Sequence, residues 1–146
     1  MDLLFKKIEN EFKERCKQDK ACFCRIFGYE AGCFFQIILQ RFYDTGMCLK
    51  SEKDYIINVY EAATNKKNTF VLDNLNNKIP VVINPLKRLL DFFDSDCSED
   101  ANGDWYINNY YDIPGLESKG KLIIISDMLT NGYSAFRDLA SLFFKI

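Results

Sequence analysis

The chain has 146 residues, enough for one domain with a buried core, and 48% apolar with 27% charged residues exclude wholesale disorder. No apolar run approaches the roughly 20 residues of a membrane span, and a pI of ≈ 5.2 argues against a surface that tracks phosphates. Histidine is absent, which removes the commonest general base, the usual nucleophile triads and the commonest zinc ligand.

Residues 2–18 read as an amphipathic helix, with Leu4, Ile8, Phe12 and Cys16 recurring every four positions and Leu3 and Phe5 widening the stripe. Ala21–Phe27 is a short apolar piece that periodicity assigns to neither helix nor strand. Residues 30–44 predict a second helix with Phe34, Ile37, Ile38, Arg41 and Phe42 on one face and Gly46 as its stop. Ser51–Asp54 resembles a capping box opening a helix to about Ala63, with Ile56, Val59, Tyr60 and Ala63 inward. Phe70–Leu75 is ambiguous, and Asn76-Asn77-Lys78 reads as a turn.

Pro80–Ile83 is β-branched and predicts a short strand. Asn84-Pro85 then starts a helix carrying Leu86, Leu89, Leu90 and Phe93. Asp94–Gly103 reads as an acidic loop, Trp105–Tyr111 as strand-like, and Pro114-Gly115 as a turn. Lys121–Ser126 predicts a strand through Ile123-Ile124-Ile125, although Leu122, Ile125 and Leu129 also fit a helical stripe. Asn131-Gly132 breaks the chain before a last helix with Phe136, Leu139, Ala140 and Phe143. The expectation is α+β: a helix-rich single domain over residues 1–146 with a small sheet in the C-terminal half. An all-α fold is the alternative.

Six cysteines fall at 16, 22, 24, 33, 48 and 97. Cys16, Cys22, Cys33 and Cys48 sit beside apolar residues, as buried free thiols do. The N-terminus lacks the basic start and longer apolar stretch of a signal peptide, so a cytoplasmic protein without disulfides is expected. There is no phosphate-binding glycine loop. Basic residues of the first helix interleave with Glu9, Glu11, Glu14 and Asp19, as on a solvated face. Neither nucleic acid, membrane nor cofactor is expected as a partner.

The most distinctive stretch runs from Leu89 to Ser118. It holds eight carboxylates (Asp91, Asp94, Asp96, Glu99, Asp100, Asp104, Asp112 and Glu117) and no lysine or arginine. The whole chain is −2, so the remaining residues carry +6 through nineteen basic and thirteen acidic side chains. Within it lies Trp105-Tyr106-Ile107-Asn108-Asn109-Tyr110-Tyr111, the densest aromatic run and the only tryptophan.

Three chemistries compete for this stretch. Ser98–Trp105 follows a calcium loop at positions one, three, five and six, but Ser98 replaces the first aspartate and Asn109 the bidentate glutamate. Glu117-Ser118-Lys119, with Asp100, Asp104 and Asp112 upstream, resembles the carboxylate-plus-lysine core of restriction-enzyme-like nucleases, where carboxylates hold Mg²⁺ and lysine helps activate water. That motif stands before its strand rather than on it. The third chemistry is recognition: large amphipathic rings supply contact area, and clustered carboxylates steer a basic partner.

Asn109-Tyr110-Tyr111-Asp112-Ile113-Pro114, following a run of acids, resembles the acidic, paired-tyrosine surface of colicin-nuclease immunity proteins. In kind the chain is similar to the immunity proteins that neutralise contact-dependent inhibition toxins in bacterial competition. The resemblance implies a non-enzymatic inhibitor that occludes the basic cleft of a toxin, a nuclease for preference. It places partner contact at Asp100, Asp104, Trp105, Tyr106, Tyr110, Tyr111 and Asp112. A metal-dependent nuclease using Asp104, Glu117 and Lys119, and a structural or adaptor domain, are the alternatives.

Overall fold

The computed structural model describes residues 2–28 and 31–142, the side chains of 31–34 excepted. In chain order the elements are α1 (Asp2–Phe27), α2 (Ala31–Thr45), β1 (Met47–Cys48), α3 (Lys50–Thr64), α4 (Asp73–Lys78), α5 (Pro80–Asp96), β2 (Cys97–Glu99), β3 (Trp105–Ile107) and α6 (Ile113–Ser141). The fold is the expected helix-rich α+β domain. Its sheet has the order β1-β3-β2, antiparallel throughout. The sheet borrows β1 from the first half of the chain.

Two expected strands are helical. Lys121–Ser126 lies inside α6, which also runs through the turn expected at Pro114-Gly115 and the break expected at Asn131-Gly132. The buried positions explain why: Gly115, Ser118, Leu122, Ile125, Leu129, Tyr133, Phe136 and Ala140 recur at three and four residues, one continuous helical stripe. Isoleucine loses only a few tenths of a kcal/mol in a helix and glycine about 1 kcal/mol, less than the burial of that stripe returns. Pro80–Ile83 likewise opens α5, with Pro80 at the first helical turn and Val82 buried. The helix start expected at Asn84-Pro85 is therefore internal, and Pro85 is accommodated at the cost of one helical hydrogen bond.

Other boundaries shift. Residues 2–18 and Ala21–Phe27 form one helix, α1, which ends at Gly28. On α2 the buried face is Phe35, Ile38, Leu39 and Phe42, while Ile37 faces solvent. Asp94–Asp96 completes α5 and Cys97–Glu99 forms β2, so the acidic loop shrinks to 100–104. Asn76-Asn77-Lys78 belongs to α4. Cys33, Phe34 and Phe143 lie outside the described side chains.

The core is aromatic. Phe23, Phe27, Phe42, Phe93 and Phe136 are fully buried; Phe23 stacks on Phe136 at 5.8 Å and Phe42 on Phe93 at 5.4 Å. Polar side chains tie the helices together. The fully buried Asp19 of α1 accepts the Val71 and Leu72 amides at 2.6 and 3.2 Å, anchoring the entry to α4. Asn76 closes the same turn by bonding both the amide and the carbonyl of Phe70, each at 2.7 Å.

Candidate functional site

The acidic-aromatic segment is a small structured corner where the sheet meets the start of α6. Its loop is built by its own carboxylates. Asp100 Oδ1 accepts the amides of Asn102 and Asp104 at 2.8 and 3.0 Å, an Asx turn that closes the β2–β3 hairpin. Asp104 Oδ1 accepts the Lys50 amide at 2.9 Å, satisfying a free donor at the first turn of α3. Glu52 meets the neighbouring donor, Leu49 N–H, at 2.8 Å and also pairs with Arg41 of α2. The cap of α3 thus precedes the expected Ser51–Asp54 box and draws on the hairpin instead, because Leu49 has no acceptor of its own.

The aromatic residues divide by role. Trp105 points inward: its ring meets Phe93 edge-on at 5.7 Å, and the Lys53 ammonium sits 3.4 Å from its centroid. Tyr106, next in the strand, points outward, and Ile107 is buried. The Tyr106 phenol is raised above its ordinary value, by lost hydration and then by the Asp100 and Asp104 carboxylates. Tyr110 is half-buried, and its hydroxyl donates to the Tyr43 and Asp44 carbonyls at 2.8 and 2.6 Å. Lys119 Nζ lies 4.0 Å from the Tyr110 centroid. Tyr111 stands edge-on to Tyr110 at 4.9 Å and is 93% exposed.

The paired tyrosines therefore do different jobs: Tyr110 is a strut and Tyr111 is exposed. Gly115 makes this geometry possible. A Cβ there would come within 2.1 Å of the Asn109 carbonyl oxygen, so only glycine lets α6 start directly against the turn. Asn109 itself takes φ 52°, the left-handed region asparagine tolerates best. Beyond the turn, Ile113 and Leu116 are exposed beside Asp112 and Glu117.

Of the eight carboxylates, three are committed to structure. Asp100 and Asp104 bind backbone amides. Asp96 is buried at the end of α5 and accepts Ser95 Oγ at 2.5 Å, Ser118 Oγ at 2.7 Å and Lys121 Nζ at 3.2 Å. Burial pushes its carboxyl up, but these three partners outweigh it and hold it below the ordinary value. Asp91, Asp94, Glu99, Asp112 and Glu117 remain exposed. Sequence reasoning gave Asp96 no role. Its only signal was a carboxylate one helical turn beyond the buried Phe92 and Phe93.

The nuclease-like residues stand in a different setting from the expected one. Lys119 and Glu117 lie on α6 rather than before a strand, Lys119 covers the Tyr110 ring, and Asp104 caps α3. Among the described residues no three His, Cys, Asp or Glu side chains gather to hold a metal ion. Cys22, Cys48 and Cys97 are buried and unbridged, and burial pushes the Cys48 and Cys97 thiols up to about 12. A shallow groove of about 850 Å³ between α2 and α6 is lined by Gln36, Ile37, Asp44, Ile123, Ser126 and Asp127 among others. No helix among the described residues is long and apolar enough to cross a membrane. No family model, curated protein or solved structure matches the chain.

Proposed function

We propose that the protein is a non-enzymatic binding protein whose acidic-aromatic corner docks onto a basic protein partner, in the manner of a toxin-immunity protein that covers a nuclease cleft. The observation that carries this reading is Tyr111. A large ring on a turn fixed by Tyr110 and Gly115 meets the fold edge-on at Tyr110 and leaves 93% of its surface to solvent. Tyrosine in such a setting offers contact area at small entropic cost. Exposed Ile113 and Leu116 extend the apolar contact, and Asp112 and Glu117 border it with charge of one sign. Tyr106 adds a second exposed ring from β3.

The committed side chains narrow the contact set. Asp104, Trp105 and Tyr110 serve the corner from within, and contact falls to Tyr106, Tyr111, Asp112, Ile113, Leu116 and Glu117. Occlusion requires no bond to be broken, only a rigid surface, and the hairpin and α6 supply one. The test is co-expression with the product of the adjacent reading frame, followed by calorimetry of the purified pair. A stoichiometric complex weakened at least about a hundredfold by Tyr111→Ala with Asp112→Lys supports the reading, since a central aromatic and a facing charge each contribute at hot-spot scale. A complex unaffected by that double change moves the interface elsewhere.

A further inference from the structure

A second exposed apolar surface lies on α1. The face of α1 that carries Asp19, Cys22, Phe23, Ile26 and Phe27 into the core continues toward the N-terminal end as Leu4, Phe5, Ile8 and Phe12. Those four are 62%, 65%, 55% and 52% exposed. Cys16 is the first residue along the stripe to pack against the core, and Asp19 is the first to be fully buried. About four turns of helix therefore present an apolar stripe that the other described residues leave exposed.

We propose that this stripe is the self-association surface of the protein, two copies pairing their α1 helices antiparallel about a two-fold axis at Ile8. Charge decides the arrangement. In an antiparallel pair each flank of one helix meets the same flank of its mate. With the axis at Ile8, Leu4 faces Phe12 of the second copy and Ile8 faces itself. On one flank Lys7 then lies beside Glu11 of the second copy, and Glu11 beside its Lys7. On the other flank Lys13 lies near Asp2 of the second copy. The Glu9–Lys13 pair within one helix, 3.1 Å apart, already holds two charges on that flank. A parallel pair would set the two flanks against each other and bring Glu11 beside Glu9.

The length fits as well. The pairing uses the free stripe and stops just before Cys16, where each body begins. The two bodies lie at opposite ends and do not collide. A lipid surface is a poorer occupant, because five basic side chains between Asp2 and Lys17 are offset by four acidic ones. Four turns make a small interface, so association at roughly micromolar concentrations is expected.

Sedimentation velocity of the full chain over a concentration series tests this. The expected result is a monomer–dimer equilibrium that Ile8→Glu abolishes without changing the circular-dichroism melting curve, since Ile8 touches none of the core. Lys7→Glu alone and Glu11→Lys alone should each weaken the dimer about five- to tenfold, by turning two ion pairs into repulsions. Mixing those two variants should restore association, because each copy then supplies the charge the other lacks. A wild-type chain that stays monomeric, a dimer that survives Ile8→Glu, or variants that do not recover on mixing would overturn the proposal. So would a monomer that pellets with phosphatidylcholine–phosphatidylglycerol vesicles and loses this with Ile8→Glu, which would assign the stripe to lipid.

Discussion

Gly46 and the ring of Tyr110 occupy one space. A Cβ on Gly46 would stand 2.4 Å from Tyr110 Cδ2, and Gly46 takes φ +70°, so no other residue fits without moving the ring. The Tyr110 hydroxyl closes the same contact from above through the Tyr43 and Asp44 carbonyls, which terminate α2. The contact thus joins the end of α2 to the turn that presents Tyr111.

Gly46→Ala should therefore cost about 2–3 kcal/mol, the sum of a left-handed alanine and a displaced ring. For a domain of this size the melting temperature should fall by about 5–10 °C. Tyr110→Phe keeps the ring and loses only the hydroxyl, whose single proton serves two carbonyls. About 1 kcal/mol is expected. Thermal melts of both variants against wild type check the order.

Asp104→Ala removes the acceptor for the Lys50 amide and should destabilise the protein by about 1 kcal/mol, as loss of a helix cap does. Asp112→Ala makes no such bond and should melt with wild type, since its side chain takes no part in capping α6. Paired urea titrations separate the two. Equal losses would show that the hairpin carboxylate does not cap α3.

The fold was legible where one period ruled. The α3 face at Ile56, Val59 and Ala63 reads directly from spacing, whereas of the strand expected over Trp105–Tyr111 only Trp105–Ile107 forms β3 and 108–111 turn toward α6. It was illegible where local preference opposed a longer pattern. Ile123-Ile124-Ile125 looks like a strand in a six-residue window, yet Leu122, Ile125 and Leu129 sit on a stripe eight positions long. Pro114, Gly115 and Gly132 read as breaks because the first turn of a helix tolerates proline and a close approach demands glycine, and neither circumstance shows in sequence. In the candidate site, Tyr110 and Tyr111 are identical letters. The contacts at the end of α2, more than sixty positions away, separate the strut from the exposed ring.

The Asp96 carboxyl is held below its ordinary value, so its contribution to stability is fully present above the unfolded value of about 3.9. That contribution is lost as pH falls through the lower, folded value. Asp96→Asn should lower stability at pH 7, where Ser118 and Lys121 lose their charged acceptor, and the variant's deficit should narrow toward the acid end. Stability measured by urea between neutral pH and about pH 3 reads both. A deficit constant with pH would separate Asp96 from the acid response.

Cys22, Cys48 and Cys97 should resist a thiol reagent in the native state and react on unfolding, because buried thiols with raised values present almost no thiolate. Cys16 and Cys24 are partly exposed and should label first. Peptide mapping of the alkylated protein assigns the order, and early labelling of Cys48 would mean that the sheet opens in the native state.

The division of labour between the two tyrosines is tested most directly by measuring affinity and melting temperature on the same pair of variants. With the cognate partner in hand, Tyr111→Ala should weaken binding by at least tenfold and leave the melting temperature unchanged, whereas Tyr110→Phe should lower the melting temperature and leave affinity within about twofold. Binding unchanged by Tyr111→Ala would contradict recognition through the acidic-aromatic corner.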